Sequence, residues 1–369
     1  MFDIAIIGAG PAGATLARLT GKAHRVLCID KRPWRESSGG YCVGKPCGGL
    51  LAPDAQKMLS ELGLGLPRDV LEGPQLFAVK AIDLQAGLER HYQRHYLNMN
   101  RRKFDSWLLS LIPPAVEVRA GCRLISFSRE DGGVTLNLDA GRQTYVEKAK
   151  ILVGADGANS KVKVLAFPGP PYTQSYLAIQ EWVEREGDNS PYFTALFDPE
   201  ITDYYCWIIP KDEALVIGAA LTPREQVREK FEGLKTKLRR HGFVFGKTTR
   251  REGAAILRPR GAKQIFTGKD GIALIGEAGG WISPSSAEGI SYALKTALLL
   301  AQSLRPGFEG FEKRYEEKVG SLRRTLSLKN LKSRLLFHPL FRKAVMASGL
   351  RSLEVQVQWQ KDFESSKWI

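Results

Sequence analysis

The chain has 369 residues, 43% hydrophobic and 25% charged, and 54 Lys or Arg against 39 Asp or Glu give it a net charge of +15. That mixture describes a globular protein long enough for two domains and excludes a disordered or fibrous chain. Five cysteines without framework spacing point to a reducing compartment, and no apolar run is long enough to cross a bilayer. Because the first predicted strand begins at Phe2, no targeting segment is expected, and the expected location is the cytoplasm.

In chain order, an apolar run over 2–7 leads without a gap into Gly8-Ala9-Gly10-Pro11-Ala12-Gly13. A helix-like stretch over 14–19 follows, and a second apolar run over 26–30 ends on Asp30. Strand, glycine turn, helix, strand and acid make a dinucleotide-binding unit. Gly8 allows the tight turn, Gly10 allows backbone to approach a pyrophosphate, and Gly13 allows helix and strand to pack closely. The free N–H groups of the helix start face the phosphates, with Pro11 and Ala12 in its first turn. Asp30 is placed to accept hydrogen bonds from an adenosine ribose, with Lys31 beside it. Only one such fingerprint is present, since Gly63-Leu64-Gly65 reads as a helix terminator. A separate NAD(P)H domain is therefore not expected.

The remaining pattern is a loop over 32–51, a helix over 52–62, strands over 75–98 and a helix over 101–111. Strands alternate over 116–146 with a turn at Glu130-Asp131-Gly132-Gly133, and a buried strand breaks into a turn over 151–157. Amphipathic strands and one charged helix (223–241) fill 176–253, before a last buried strand at 272–276 and a helix over 289–304. His91 and His95 lie on a polar strand-like run, and no metal is expected there. The predicted class is α/β: a Rossmann-like nucleotide-binding domain interrupted by a strand-rich substrate domain, with a helical C-terminal tail. The nucleotide domain is expected in three parts (1–74, 100–168, 265–305) and the substrate domain in two (75–99, 169–264). A helical basic region follows (306–369). Such an interruption places the ligand where the domains meet.

The charge is uneven. Residues 320–351 hold Arg323, Arg324, Lys329, Lys332, Arg334, Arg342, Lys343 and Arg351 with no acid, among several leucines that do not form one clean helical stripe. The segment reads either as a solvated helix packed on the domain or as a basic apolar surface for anionic membrane. Nucleic acid is not an expected partner, because no recognition module accompanies the charge.

Four further segments select the ligand. Arg101-Arg102-Lys103-Phe104-Asp105-Ser106-Trp107-Leu108, Gly154-Ala155-Asp156-Gly157-Ala158-Asn159-Ser160, Gly276-Glu277-Ala278-Gly279-Gly280 and Pro284-Ser285-Ser286-Ala287-Glu288-Gly289-Ile290 occur in that order. They resemble the R-x-x-F-D-x-x-L, G-A-D-G-x-x-S, G-D-A-A-G and P-x-x-G-E-G-I motifs of a flavoprotein superfamily. That superfamily, p-hydroxybenzoate hydroxylase-like, includes monooxygenases and geranylgeranyl reductases, and its fold binds FAD. The resemblance implies that Arg101 reaches the flavin's phosphate and ribityl region and that Asp156 and Gly157 order backbone near the pyrophosphate. It implies that Gly276, Glu277 and Gly279 lie on the ribitol, and that Gly289 and Ile290 face the isoalloxazine N1 and O2. Glu277 stands where Asp is usual, which implies a shifted or water-mediated contact. Ala287 replaces a glycine, which implies backbone less tightly folded against the ring.

Lys45-Pro46-Cys47-Gly48-Gly49-Leu50 and Tyr205-Cys206-Trp207-Ile208-Ile209-Pro210-Lys211 resemble the K-x-C-G-G-L and Y-x-W-x-F-P-K segments of the geranylgeranyl reductase family. Over nearly the whole chain the likeness is to its CbrA-type branch of bacterial flavoproteins. By this resemblance Cys47, Gly48 and Gly49 pass close to the flavin, and Tyr205 and Trp207 line a lipid-shaped cavity. The residues themselves leave alternatives: Cys47 as a small residue in a tight loop or as a thiol serving the reaction, Tyr205 and Trp207 as core aromatics or cavity wall. A disulfide between Cys42 and Cys47 is the lesser reading for a cytosolic chain. The implied activity is FAD-dependent reduction of carbon–carbon double bonds in an isoprenoid-like or other hydrophobic substrate. NAD(P)H or a reduced protein carrier is the expected electron donor. The alternatives are an FAD monooxygenase hydroxylating an aromatic or polyketide substrate, a halogenase requiring Lys80 to face a tunnel, and a flavin-carrying membrane-associated protein without turnover.

Overall fold

The computed structural model describes residues 1–33, 44–141, 143–169, 173–187, 191–223 and 226–353. Cys42, and with it the disulfide considered above, lies outside them.

The chain opens with β1 (Phe2–Ile7), α1 (Pro11–Thr20) and β2 (Val26–Asp30), then crosses through the short β3 (Leu50–Leu51) to α2 (Pro53–Glu61). A hairpin of β4 (Leu76–Asp83) and β5 (Leu88–Asn98) precedes α3 (Arg101–Ser110), whose N-cap Asn100 accepts from the amides of Arg102 and Lys103. Next come β6 (Glu117–Ala120), β7 (Arg123–Glu130), β8 (Gly133–Asp139), β9 (Thr144–Gly154) and α4 (Lys161–Ala166). The second half begins with β10 (Gln174–Arg185), β11 (Phe193–Phe197), β12 (Cys206–Lys211) and β13 (Ala214–Leu221). It continues with α5 (Val227–Arg240), β14 (Phe245–Arg258), β15 (Gly268–Lys269), β16 (Ile272–Leu274), α6 (Ile290–Leu304), α7 (Phe311–Phe337) and α8 (Pro339–Ser348).

Two sheets organise these elements. In the first, β16, β9, β1, β2 and β6 lie side by side and parallel, with Ile4 opposite Ile151 on one side and Val26 on the other. Their apolar runs are buried because both faces are covered, as parallel sheets require. Leu16 of α1, Leu300 of α6 and Tyr315 of α7 pack on one face. The β7–β8 hairpin and Val162 of α4 pack on the other. The second sheet runs β14-β10-β13-β12-β11-β4-β5-β3. One of its faces buries Phe231, Leu234 and Leu238 of α5. The other presents Tyr96, Tyr176, Tyr204, Trp207 and Ile209 as an aromatic layer. Leu50–Leu51, inside the stretch assigned to the nucleotide domain by sequence, pairs with β5 and so belongs to the second sheet.

The C-terminal helices tie the two halves together. Phe311, Tyr315, Val319 and Leu326 of α7 are in the core of the first sheet, while Phe337 at its far end joins the aromatic layer of the second. Met346 of α8 packs on Ala81 and Phe197, and buried Arg342 pairs with buried Asp83 of β4 at 2.7 Å. The basic segment is therefore less uncompensated than its sequence implies. Arg323 pairs with Glu316 and Lys329 with Asp54, so three of its eight cations meet acids supplied from outside 320–351. Its leucines also sort more cleanly than expected: Leu326 is buried, whereas Leu328, Leu331 and Leu335 share an exposed face. Among the described residues no helix is long and apolar enough to cross a membrane.

Candidate functional site

The carboxyl ends of the parallel strands gather the predicted nucleotide residues, the position at which open α/β sheets bind ligands. Gly8 follows β1 with φ +103°, and a Cβ there would come within 2.5 Å of the Ala155 carbonyl oxygen, so the first and third motifs touch. A Cβ on Gly13 would lie 1.8 Å from the Gly8 carbonyl oxygen, which fixes how closely α1 rests on the turn. Gly10 differs: a Cβ there would meet nothing within 4 Å. No packing among the described residues needs that glycine, and the gap lies at the N-terminus of α1, where Pro11 takes the first position and the following amides have no intrahelical partner. Space plus free N–H donors is the cradle a pyrophosphate requires, and the residues present fit a dinucleotide such as FAD.

Asp30 is placed differently from its expected role. One carboxylate oxygen accepts from the Ala9 amide at 2.9 Å, and Arg32 bonds both oxygens through its side chain at 2.8 and 2.6 Å. Burial raises its pKa, but the Arg32 guanidinium and the backbone amides lower it further, and it settles below the ordinary carboxylate value. A ribose hydroxyl would have to share this carboxylate with Arg32 or displace it. Lys31 is exposed beside it.

Asp156 organises the turn after β9, accepting from Ser160 Oγ at 2.5 Å and from the Lys161 amide at 2.6 Å, with Gly157 between. Desolvation nevertheless pushes its carboxyl up. Gly276 and Gly279 are buried in a tight turn after β16, and the Gly276 amide donates to Thr296 of α6 at 2.9 Å. Gly289 caps α6 and Ile290 is its first residue. Glu288, just before, accepts from the amide and hydroxyl of Ser291 at 2.7 and 2.6 Å, while burial pushes its carboxyl up.

Two expectations drawn from departures in the motifs change. Glu277 is committed within the protein: it accepts from the Leu257 amide of β14 at 2.9 Å and from Lys45 Nζ at 2.5 Å. Its extra methylene lets it join the end of β14 to the 44–49 loop. Ala287 has φ +50°, so the backbone keeps the left-handed conformation a glycine would take, and is not relaxed by the substitution. Its amide donates to Tyr204 Oη at 2.9 Å.

The domain junction is built from the 44–49 loop, α3 and the second sheet. Arg101 donates to Asp105 at 2.8 Å and lies beside the Cys47 side chain. The Cys47 carbonyl accepts from Gln180 at 3.3 Å, and Gly48 abuts Ile209. A cavity of about 30 Å³ remains between Cys47, Arg101, Trp182, Lys211 and Glu252. Lys211 holds this corner. Buried at the end of β12, it donates to the carbonyls of Gly49 and Met99 at 3.2 and 2.8 Å and pairs with Glu72 at 3.0 Å. Its burial lowers its pKa. Sequence reasoning placed Lys211 in a motif but gave it no role, and nothing local marks a strand lysine as buried. Gln180, Trp182, Arg250 and Glu252 were missed altogether, because only pairing of β10 with β14 assembles them.

Tyr205 and Trp207 share a surface, as alternation predicts, with ring centres 5.7 Å apart. Tyr205 Oη donates to the Ser286 carbonyl at 2.8 Å, so the aromatic layer abuts the 284–287 loop directly. Burial raises the pKa of Tyr205 far above its usual range. Lys80 lies elsewhere. It pairs with Glu89 at 2.7 Å and sits near Phe243, while its neighbour Val79 faces the aromatic layer. His91 and His95 pack on different rings, Tyr192 and Phe77.

Residues 1–227 match the FAD binding domain family, so the chain belongs to that family of flavoprotein oxidoreductases. Within it, the chain is 42% identical over 351 residues to Protein CbrA of Escherichia coli O157:H7, covering 95% of this chain and 97% of that protein. The fold matches a geranylgeranyl bacteriochlorophyll reductase-like protein from Thermoplasma acidophilum at TM-score 0.77 and 18% identity, over 94% and 90% of the two chains. It also matches PqsL of Pseudomonas aeruginosa, a probable FAD-dependent monooxygenase, at TM-score 0.69 and 19% identity, over 95% and 99%.

Proposed function

We propose that the protein reduces carbon–carbon double bonds in an isoprenoid-like or other hydrophobic substrate, with electrons from NAD(P)H or a reduced protein carrier. FAD supplies hydride transfer when bound. The start of α1 and the gap at Gly10 hold the pyrophosphate, and the N-terminus of α6 at Gly289 and Ile290 presents partial positive charge to the ring system. Cys47 Sγ, beside Arg101, is assigned to proton delivery. Tyr204, Tyr205 and Trp207 exclude water and orient the apolar substrate.

The observation that carries this reading is the commitment of three tyrosine hydroxyls in the aromatic layer. Tyr205 Oη is spent on the Ser286 carbonyl, Tyr204 Oη on the Ala287 amide and Tyr176 Oη on Asp203. Tyr176 and Tyr204 are fully buried, so it is the partly exposed Tyr205 that has ring surface left to offer a ligand, which suits a hydrocarbon better than an aromatic substrate oriented through its own hydroxyl. The test is anaerobic turnover of a polyprenyl substrate with chemically reduced enzyme, followed by mass spectrometry. The expected product gains two hydrogens, and Cys47→Ala keeps the flavin but slows its formation. A product that forms only with oxygen, and carries an oxygen atom, identifies a hydroxylase instead.

The same reading places the protein in the cytoplasm, peripheral on the inner face of the membrane, where such a substrate resides. The exposed leucines and exposed cations of α7 support this.

A further inference from the structure

Helix α8 has its polarity inside out. A helix that rests on a protein and faces water turns its apolar side chains inward and its charged ones outward. In α8 the buried side chains are Arg342 and Met346, one turn apart, and Arg342 is a cation paired with the buried Asp83. The outward side carries Leu340, Phe341 and Val345, which are 73%, 54% and 48% exposed, with Ala344 and Ala347 exposed between them. By helical spacing these five positions form an arc of roughly 160°. Ser348 is the one polar residue inside the arc, Lys343 borders it, and the helix contains no acid.

The face is held in place. Phe337, before the helix, packs on Tyr204 with ring centres 5.0 Å apart. After the helix, the Leu353 amide donates to the His91 carbonyl of β5 at 2.7 Å. Between these two tethers the Arg342–Asp83 pair and Met346, against Ala81 and Phe197, fix the rotation of the helix about its axis. The outward turn of Leu340 and Phe341 is thus set by the fold, and no described residue covers them. Exposing such an arc to water gains nothing for stability, so its apolar character belongs to a contact.

Charge decides between a second copy and a bilayer. Residues 320–351 hold no acid, and Lys343 and Arg351 are exposed beside the arc and just after it, where Leu350 is exposed as well. A twofold contact between copies sets one cation-bordered face against another of the same sign. An anionic bilayer instead takes the apolar side chains into its acyl boundary and the cations at its head groups. We infer that the outer face of α8 is the element that seats the protein on an anionic lipid surface, with the helix lying in the plane of the head groups. This rests on the peripheral-membrane reading above and assigns the contact to one helix. The contact sets the bilayer beside the aromatic layer, because Phe337 joins that layer and α8 starts two residues later.

The test is flotation of the full-length protein with phosphatidylcholine vesicles, with and without phosphatidylglycerol. Leu340→Ser with Phe341→Ser strips the face of α8. Val146→Ser with Val164→Ser removes two side chains that are equally open, each 64% exposed, from the nucleotide-binding half. The α8 pair weakens binding to phosphatidylglycerol vesicles by about tenfold or more, since it removes two side chains from apolar surroundings, whereas the valine pair leaves binding unchanged. Salt weakens the parent's binding by screening its cations. Without vesicles the α8 pair melts and elutes like the parent. An α8 pair that floats like the parent, or a valine pair that loses as much, overturns the assignment and leaves membrane attachment standing. A parent protein that ignores phosphatidylglycerol at low salt overturns both. A lower melting temperature of the α8 pair without lipid, or its conversion of a dimer into a monomer, shows the face covered by protein and overturns the lipid.

Discussion

Two glycine-bearing loops approach the same site and are built on opposite principles. In the 8–13 turn, Gly8 and Gly13 are held by backbone atoms of the turn after β9 and of the 8–13 turn itself, while Gly10 faces open space among the described residues. In the 44–49 loop the positions that side chains of Gly48 and Gly49 would take are already filled. A Cβ on Gly48 would lie 2.4 Å from Ile209 Cδ1, and one on Gly49, at φ +67°, would lie 2.2 Å from the Met99 carbonyl oxygen. A glycine whose missing side chain is filled by protein serves the fold, and one facing open space serves a ligand. By that criterion the first loop is a binding element, and the second is a packed wall whose glycines let it fit against β12 and α3.

The largest effect should come from Gly13→Ala. The colliding atom is backbone, so α1 or the turn has to move, at a cost of about 3 kcal/mol. Urea unfolding should show this loss together with loss of flavin. A variant as stable as the parent would mean that the turn is looser than its contacts imply.

Asp30→Asn should cost about 1–3 kcal/mol, because it breaks charge-assisted bonds to Arg32 and Ala9. The pH dependence has a definite sign. Although burial raises the carboxyl's pKa, Arg32 and the amides bring it below the unfolded value. Its stabilisation is therefore complete above the unfolded pKa of about 4 and is lost as pH falls through the lower folded value. The gap between parent and Asp30→Asn should be constant near neutrality and close in acid. A gap that widens there would mean the carboxylate is not held by Arg32.

Gly48→Ala should be the mildest, under about 1 kcal/mol, since the atom it meets is the tip of a flexible isoleucine. A cost equal to that of Gly13→Ala would show the loop to be as rigid as the turn and erase the contrast.

The legible part of the molecule is the part whose function is local. Gly8, Gly10 and Gly13 carry their meaning in spacing, and the strands that hold them are short apolar runs that a doubly covered parallel sheet buries. The junction is different. Glu277 looks like a conservative replacement until β14 is seen to offer the Leu257 amide, and Lys211 looks like a surface lysine until two carbonyls and Glu72 converge on it. The basic tail looked uncompensated in large part because two of its counter-charges, Asp54 and Asp83, lie more than two hundred residues away in sequence. No window along the chain contains such pairs.

The central claim, that the gap at Gly10 is the seat of a flavin dinucleotide, is tested most directly by Gly10→Val. Gly10 has φ −72° and ψ −172°, which any residue adopts, and none of the described residues lies within 4 Å of its Cβ position. The variant should therefore fold within about 1 kcal/mol of the parent. The parent, purified and denatured, should release one FAD per chain, and Gly10→Val should release none while melting normally. A folded Gly10→Val protein that retains stoichiometric FAD, or a parent that never binds it, would contradict the account.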